Sequence, residues 1–173
     1  MIEDFVGEYH RYRLLGLGAI EQMPDAALNE IRGEDGNSPA MIVHHVSGNL
    51  TSRFTDFLTT DGEKPWRNRD DEFADRTCTR AVVLSTWDAG WRVLEQQLAS
   101  LTDADMTRTV TIRAQPLTVH AALCRSATHV AYHVGQLVTL ARQSTGAGWR
   151  SLSIPRGQSA AYNANPTREK APT

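Results

Sequence analysis

The feature that most limits this chain is a set of four long stretches in which apolar residues recur every three or four positions, each closed by turn formers. Side chains at that spacing share one face of an α-helix, and helices with one apolar face bury it against each other. The expected fold is therefore all-α, a bundle of four helices. The first stretch runs from about Ile2 to Gln22 through Phe5, Tyr9, Tyr12, Leu15 and Ile20, and Pro24 stops it. Gly16 and Gly18 weaken it, each costing about 1 kcal/mol relative to alanine. The second begins where Ser38 can cap and Pro39 can open the first turn, and it extends to about Leu58. The third, about Arg80 to Leu101, carries Val83, Trp87, Trp91, Leu94 and Leu98. The fourth, about Thr118 to Gln143, carries Leu123, Ala127, Val130, Val134, Leu137 and Ala141.

The connections differ in character. Thr60 to Arg76 is a polar loop broken by Gly62 and Pro65 and dense in charge, with Glu63, Lys64, Arg67, Arg69, Asp70, Asp71 and Glu72. Thr107 to Arg113 alternates and is rich in β-branched residues, so a short strand or hairpin is expected between the third and fourth helices. Beyond Gly146 the chain turns irregular, with one patch, Trp149 to Pro155, expected to be ordered. The domain reading is a bundle over 1–145 and an irregular C-terminal tail, 146–173, packing on it.

At 173 residues, 40% hydrophobic and 22% charged, the chain suits one domain with a sizeable core. A net charge of -2 without a lysine or arginine cluster argues against a nucleic-acid partner. Glu3, Asp4 and Glu8 stand where an export signal needs basic and apolar residues, and no run of about 18 apolar residues is present to span a membrane. Cys78 and Cys124 share no metal-type spacing and are too few for a disulfide framework, so a reducing cytoplasm is expected, with Cys124 as a buried structural thiol.

The six histidines carry the most information about function. His129 and His133 lie four apart in a strong helical pattern, so both imidazoles rise from one face, beside the apolar stripe, with Gln136 on the same flank. Such a pair can grip one divalent ion if a neighbouring helix supplies a further ligand. On the second helix His44 and His45 point about 100° apart, so only one can easily join. The helical wheel favours His45. His10 and His120 have no comparable company and receive no role.

HVSGNLTSRFTDFLTTDGEKPWRNRDDEF, from His45 to Phe73, HVAYHVGQLVTLAR, from His129 to Arg142, and SLSIPRGQS, from Ser151 to Ser159, together resemble the DinB/YfiT-like superfamily, in a bacterial branch of uncharacterised proteins. The resemblance implies a four-helix up-down-down-up arrangement and frequently a homodimer. It implies a metal site with one histidine ligand from the second helix and two from the fourth, which fall on His45, His129 and His133. Proteins similar to this one include thiol-dependent S-transferases, metal-dependent hydrolases and members without known activity, so no single reaction carries over.

Three neutral imidazoles leave coordination positions open, and an open site can lower the pKa of a bound water or thiol. A nitrogen-only site accepts zinc or nickel foremost, then iron or manganese, and a low-molecular-weight thiol is a candidate co-substrate. The expected enzyme is a thiol S-transferase or a hydrolase of a small electrophile. Asn49, Arg53 and Gln136 are its candidate substrate-binding residues, Asn49 or Gln136 also orienting a ligand or a histidine. Arg53, Arg67 and Arg69 are candidates for an anionic substrate, against the commoner reading of solvated or salt-bridged arginines, and Trp66 reads as packing. The rival expectation is a non-catalytic dimeric bundle that binds or senses a metal or small ligand.

Overall fold

The computed structural model describes residues 1–167, and within them the chain is mostly helical. Helix α1 spans Ile2–Gln22, α2 Pro39–Phe54, α3 Arg80–Ser100 and α4 Val119–Thr145. A short α5, Ser159–Ala164, lies in the tail, where no helix was expected. Strands β1, Thr109–Ile112, and β2, Gln115–Thr118, form an antiparallel hairpin between α3 and α4. The starts of α2, α3 and α4 follow from their sequence: the side chains of Ser38, Thr79 and Thr118 accept the backbone N–H of Met41, Val82 and Ala121 respectively.

Helix α1 packs on α4 and α3, and α2 packs on α3 and α4, around one apolar core. Trp87 and Trp91, with ring centroids 5.3 Å apart, fill its middle, and Tyr9 meets Trp91 edge-on at 6.4 Å. Gly16, which sequence alone marks as a weak point, lets this happen: a Cβ there would sit 2.4 Å from the Trp87 ring. The helix gives up propensity at that position and gains close packing against the largest core residue.

Helix α2 ends at Phe54 rather than near Leu58. Thr55 leaves the helix in an extended conformation while its hydroxyl bonds the Thr51 carbonyl at 2.8 Å, and Asp56 adopts a positive φ of 48°. The reversal returns Phe57 to the core, 5.1 Å from the Phe54 ring. Beyond it the charged loop is tied to the hairpin. Gly62 N–H donates to the Thr111 carbonyl at 2.8 Å, and the Asp61 carboxylate accepts the backbone N–H of Glu63, Arg113 and Ala114. Arg113 and Ala114 form the tight turn at φ 54° and 58°, a left-handed conformation costly for non-glycine residues that Asp61 holds in place. Those backbone donors hold the Asp61 carboxyl down at about 2.

In the tail, Trp149 and Leu152 pack at the margin of the core, and Arg150 exchanges two hydrogen bonds with the Gln22 side chain. The final stretch of the expected tail, 168–173, lies outside the described residues. No helix among the described residues is long and apolar enough to cross a membrane.

Candidate metal centre

His45 comes from the middle of α2, and His129 and His133 from consecutive turns of α4. The contact between these two helices brings the three rings together. Their centroids are 5.1 Å (His45 to His129), 4.8 Å (His45 to His133) and 4.6 Å (His129 to His133) apart. One nitrogen from each ring lies within 4.8 Å of the others, so the cluster could hold a metal ion. His45 Nε2 and His129 Nε2 are 3.1 Å apart. Two nitrogens each about 2.1 Å from one ion stand at about that separation.

Two of the rings have their tautomers set by a neighbour. His45 Nδ1 donates to Glu72 Oε2 at 2.8 Å, which leaves its Nε2 with a free lone pair. His133 Nδ1 donates to Gln136 Oε1 at 2.8 Å, with the same consequence, and the Gln136 amide in turn donates to the Tyr132 hydroxyl. His129 has no such partner, and its Nδ1 is buried without a hydrogen bond among the described residues. A lone pair on His45 Nε2 that faces another ring nitrogen at 3.1 Å needs a proton or a cation between them, so the two nitrogens can share a hydrogen bond or ligate one ion.

Glu72 is the residue the sequence did not single out. It belongs to a short turn, Asp70–Phe73, in the charge-dense loop, and it is buried between His45 and Arg67. Arg67 Nε and Nη2 each donate to the Glu72 carboxylate at 2.8 Å. Burial alone would raise the Glu72 carboxyl, but the hydrogen bonds from His45 and Arg67 and the Arg67 charge hold it below its usual range. Gly48 makes room, since a Cβ there would lie 2.2 Å from Glu72 Oε1. Replacing Glu72 by glutamine is expected to lower metal affinity about 10- to 100-fold, as for other groups that orient a ligand from behind. Competition with a chromogenic chelator would measure it, and an unchanged affinity would remove Glu72 from the site.

Burial, then the His133, His45, Arg67 and Arg53 charges, push the His129 ring down to about 3. Burial also lowers His133, partly offset by the bond to Gln136. Both rings are thus neutral at pH 7, the form that binds metal. In the unfolded chain a histidine takes up its proton near about 6.5, so between there and about 3 the unfolded state holds more protons and stability falls as pH falls. Thermal melts of metal-free protein are therefore expected to lose stability on acidification below about pH 6.5, with a shallower loss in His129→Gln. Parallel pH profiles for the two proteins would contradict this.

The cluster borders a cavity of about 220 Å³, smaller than a drug-sized pocket and suited to a small molecule. His45 and His129 line it together with Asn49 and Arg53, while Gln136 is engaged with His133 and is not part of that lining. Arg53 donates to the Gly62 carbonyl and to Glu63. Arg67 and Arg69 also line the cavity, joined by Arg113 from the hairpin turn and Arg125 from α4. The last two were missed, although Arg125 stands one helical turn before His129 and a wheel puts it on the same face.

The remaining singled-out residues lie elsewhere. His44 projects away and contacts the buried Cys78, its Nε2 3.6 Å from Sγ. Cys124 is not the buried thiol expected: it is half-exposed, 3.9 Å from the His120 ring nitrogens, because α4 turns that flank outward near its start. Trp66 is 57% exposed and packs on no core.

Among known proteins, a family model described as "Protein of unknown function (DUF1572)" matches residues 1–158 of the chain. No curated protein and no solved structure matches it.

Proposed function

Because the chain belongs to the DUF1572 family, a DinB/YfiT-like family, we propose that it binds one divalent metal ion through His45, His129 and His133 and is a metal-dependent enzyme acting on a small electrophile. The observation that supports this is the convergence of three imidazoles, two of them, His45 and His129, at the wall of a small cavity, with the His45 and His133 tautomers fixed by Glu72 and Gln136. Three nitrogen ligands leave a position free, and an ion so held supplies a nucleophile near neutral pH by lowering the pKa of water or a thiol.

The chain's own residues do the rest. Glu72 and Gln136 hold the imidazoles in the ligating tautomer, and Arg67 keeps Glu72 ionised. Asn49 and Arg53 bind substrate from the α2 side, and Gln136 acts on it only through His133 and Tyr132. Zinc or nickel heads the order of candidate ions, ahead of iron or manganese. The reading includes a low-molecular-weight thiol as co-substrate, an up-down-down-up bundle forming a homodimer, a cytoplasmic setting, and neither nucleic acid nor membrane as partner. The domain reading stays with it, a metal-binding bundle over 1–145 and a tail from 146 that completes the same unit.

The test is metal analysis of purified protein followed by a panel of thiols with electrophiles and of small esters. Turnover that needs the ion and disappears in His133→Ala supports the enzyme. An ion held at one per chain with no turnover across the panel would favour the sensing or storage bundle instead.

A further inference from the structure

Five of the chain's eighteen lysine and arginine residues, Arg53, Arg67, Arg69, Arg113 and Arg125, open into the one small cavity beside the histidines, on a chain whose net charge is -2. Among the described residues, no acidic one lines it. The carboxylates behind its wall are already committed. Glu72 is shared by His45 and Arg67, and Glu63 by Arg53 and Arg113. That leaves Arg69, whose only carboxylate contact among the described residues is exposed Asp70 at 4.0 Å, and Arg125, whose side chain makes no ion pair or hydrogen bond among the described residues.

A second observation concerns Arg67. Its side chain is 2% exposed, yet Nη1 has no hydrogen-bond acceptor among the described residues, and the carboxylate beside it, Glu63, stands at 4.0 Å. A guanidinium N–H that is buried without an acceptor carries the full cost of lost hydration, and native proteins almost always satisfy such groups. An oxyanion supplies acceptors to all of these donors at once, and guanidinium forks match carboxylate and phosphate geometry.

We propose that this cavity is an oxyanion subsite, in which Arg67, Arg69 and Arg125 grip the carboxylate or phosphate of a small substrate while its remainder faces His45 and His129. The proposal deepens the metal-site reading and rests on it for the word substrate, but the anion grip itself needs no ion. Arg53 and Arg113, tied through Glu63, keep the wall cationic and hold the hairpin against the loop. The volume of about 220 Å³ limits the ligand to a small organic anion.

The test is calorimetric titration of the full chain with succinate and, as the uncharged control, succinamide. It is run both on metal-loaded protein and on protein freed of metal by chelation and dialysis. Succinate is expected to bind both forms and succinamide neither. Arg125→Gln should weaken succinate about tenfold, the lower end for a charge-assisted hydrogen bond, with Arg125→Lys recovering part of the loss and metal content unchanged in both. Arg69→Gln serves as an independent second variant with the same expectation. Equal binding of succinate and succinamide, or wild-type affinity in both glutamine variants, would overturn the subsite. Failure of the metal reading would show differently, as wild-type protein that takes up no ion yet still binds succinate.

Discussion

Substituting His129 by alanine is expected to empty the site: bound metal, near one ion per chain in the wild-type protein, should fall below about a tenth of that, with affinity down by more than a hundredfold. The size of the effect follows from how the three rings are held. His45 and His133 are each fixed from behind, by Glu72 and Gln136, whereas His129 has no such partner among the described residues and faces His45 Nε2 directly at 3.1 Å. Removing it deletes a ligand and leaves two nitrogens from different helices, a chelate too weak to retain an ion through purification. Metal analysis checks the loss, and circular dichroism checks that the bundle persists. Since His129 is only partly buried and contributes little to the core, the helices should survive.

The second large effect concerns the scaffold. Trp91→Ala is expected to cost about 3–5 kcal/mol, and in a chain of this size about 2–4 °C of melting temperature per kcal/mol, so a fall of roughly 6–20 °C. Trp91 is fully buried between Tyr9 of α1 and Trp87 of its own helix. Its indole Nε1 has no hydrogen-bond partner among the described residues, so Trp91→Phe, which removes that orphaned donor while keeping most of the ring, should lose less than about 1.5 kcal/mol. Equal losses in the two variants would show that the polar edge of Trp91, rather than its bulk, matters. Thermal unfolding followed by circular dichroism distinguishes these outcomes.

What could be read from the sequence was whatever repeats with a helical period. The first helix, the capped start at Ser38, the start of the fourth helix near Thr118 and the tryptophan stripe of the third all follow from local spacing and capping chemistry. The pairing of His129 with His133 is local in the same sense. The angle between adjacent helical residues admits only one of His44 and His45, the helical wheel and the resemblance favour His45, and the structure places His44 against Cys78 instead. The early end of α2 was hidden because Thr55 to Leu58 continue the apolar rhythm, and it is a backbone reversal at Asp56 that breaks it. The hairpin's turn was hidden because Arg113 and Ala114 are poor left-handed residues, held there by a carboxylate 52 and 53 positions away.

Glu72 and the arginines show the same division. A carboxylate 27 residues from the histidine it orients has no periodic signature, and in a loop rich in charge it looks like its solvated neighbours. Only burial separates Glu72 from Asp70 and Asp71. Of the loop arginines named from sequence, Arg67 proves to be the support of Glu72, while Arg125, on a helix already understood, went unnoticed beside the histidines.

The most direct test of the account is anomalous diffraction from crystals of the purified protein, with data collected on both sides of the manganese, iron, nickel and zinc absorption edges. One peak per chain is expected, at about 2.0–2.2 Å from the ring nitrogens of His45, His129 and His133 and appearing at a single edge. Difference maps with no peak among those three rings, from protein grown and purified with these metals available, would contradict it, as would a peak bound by other residues.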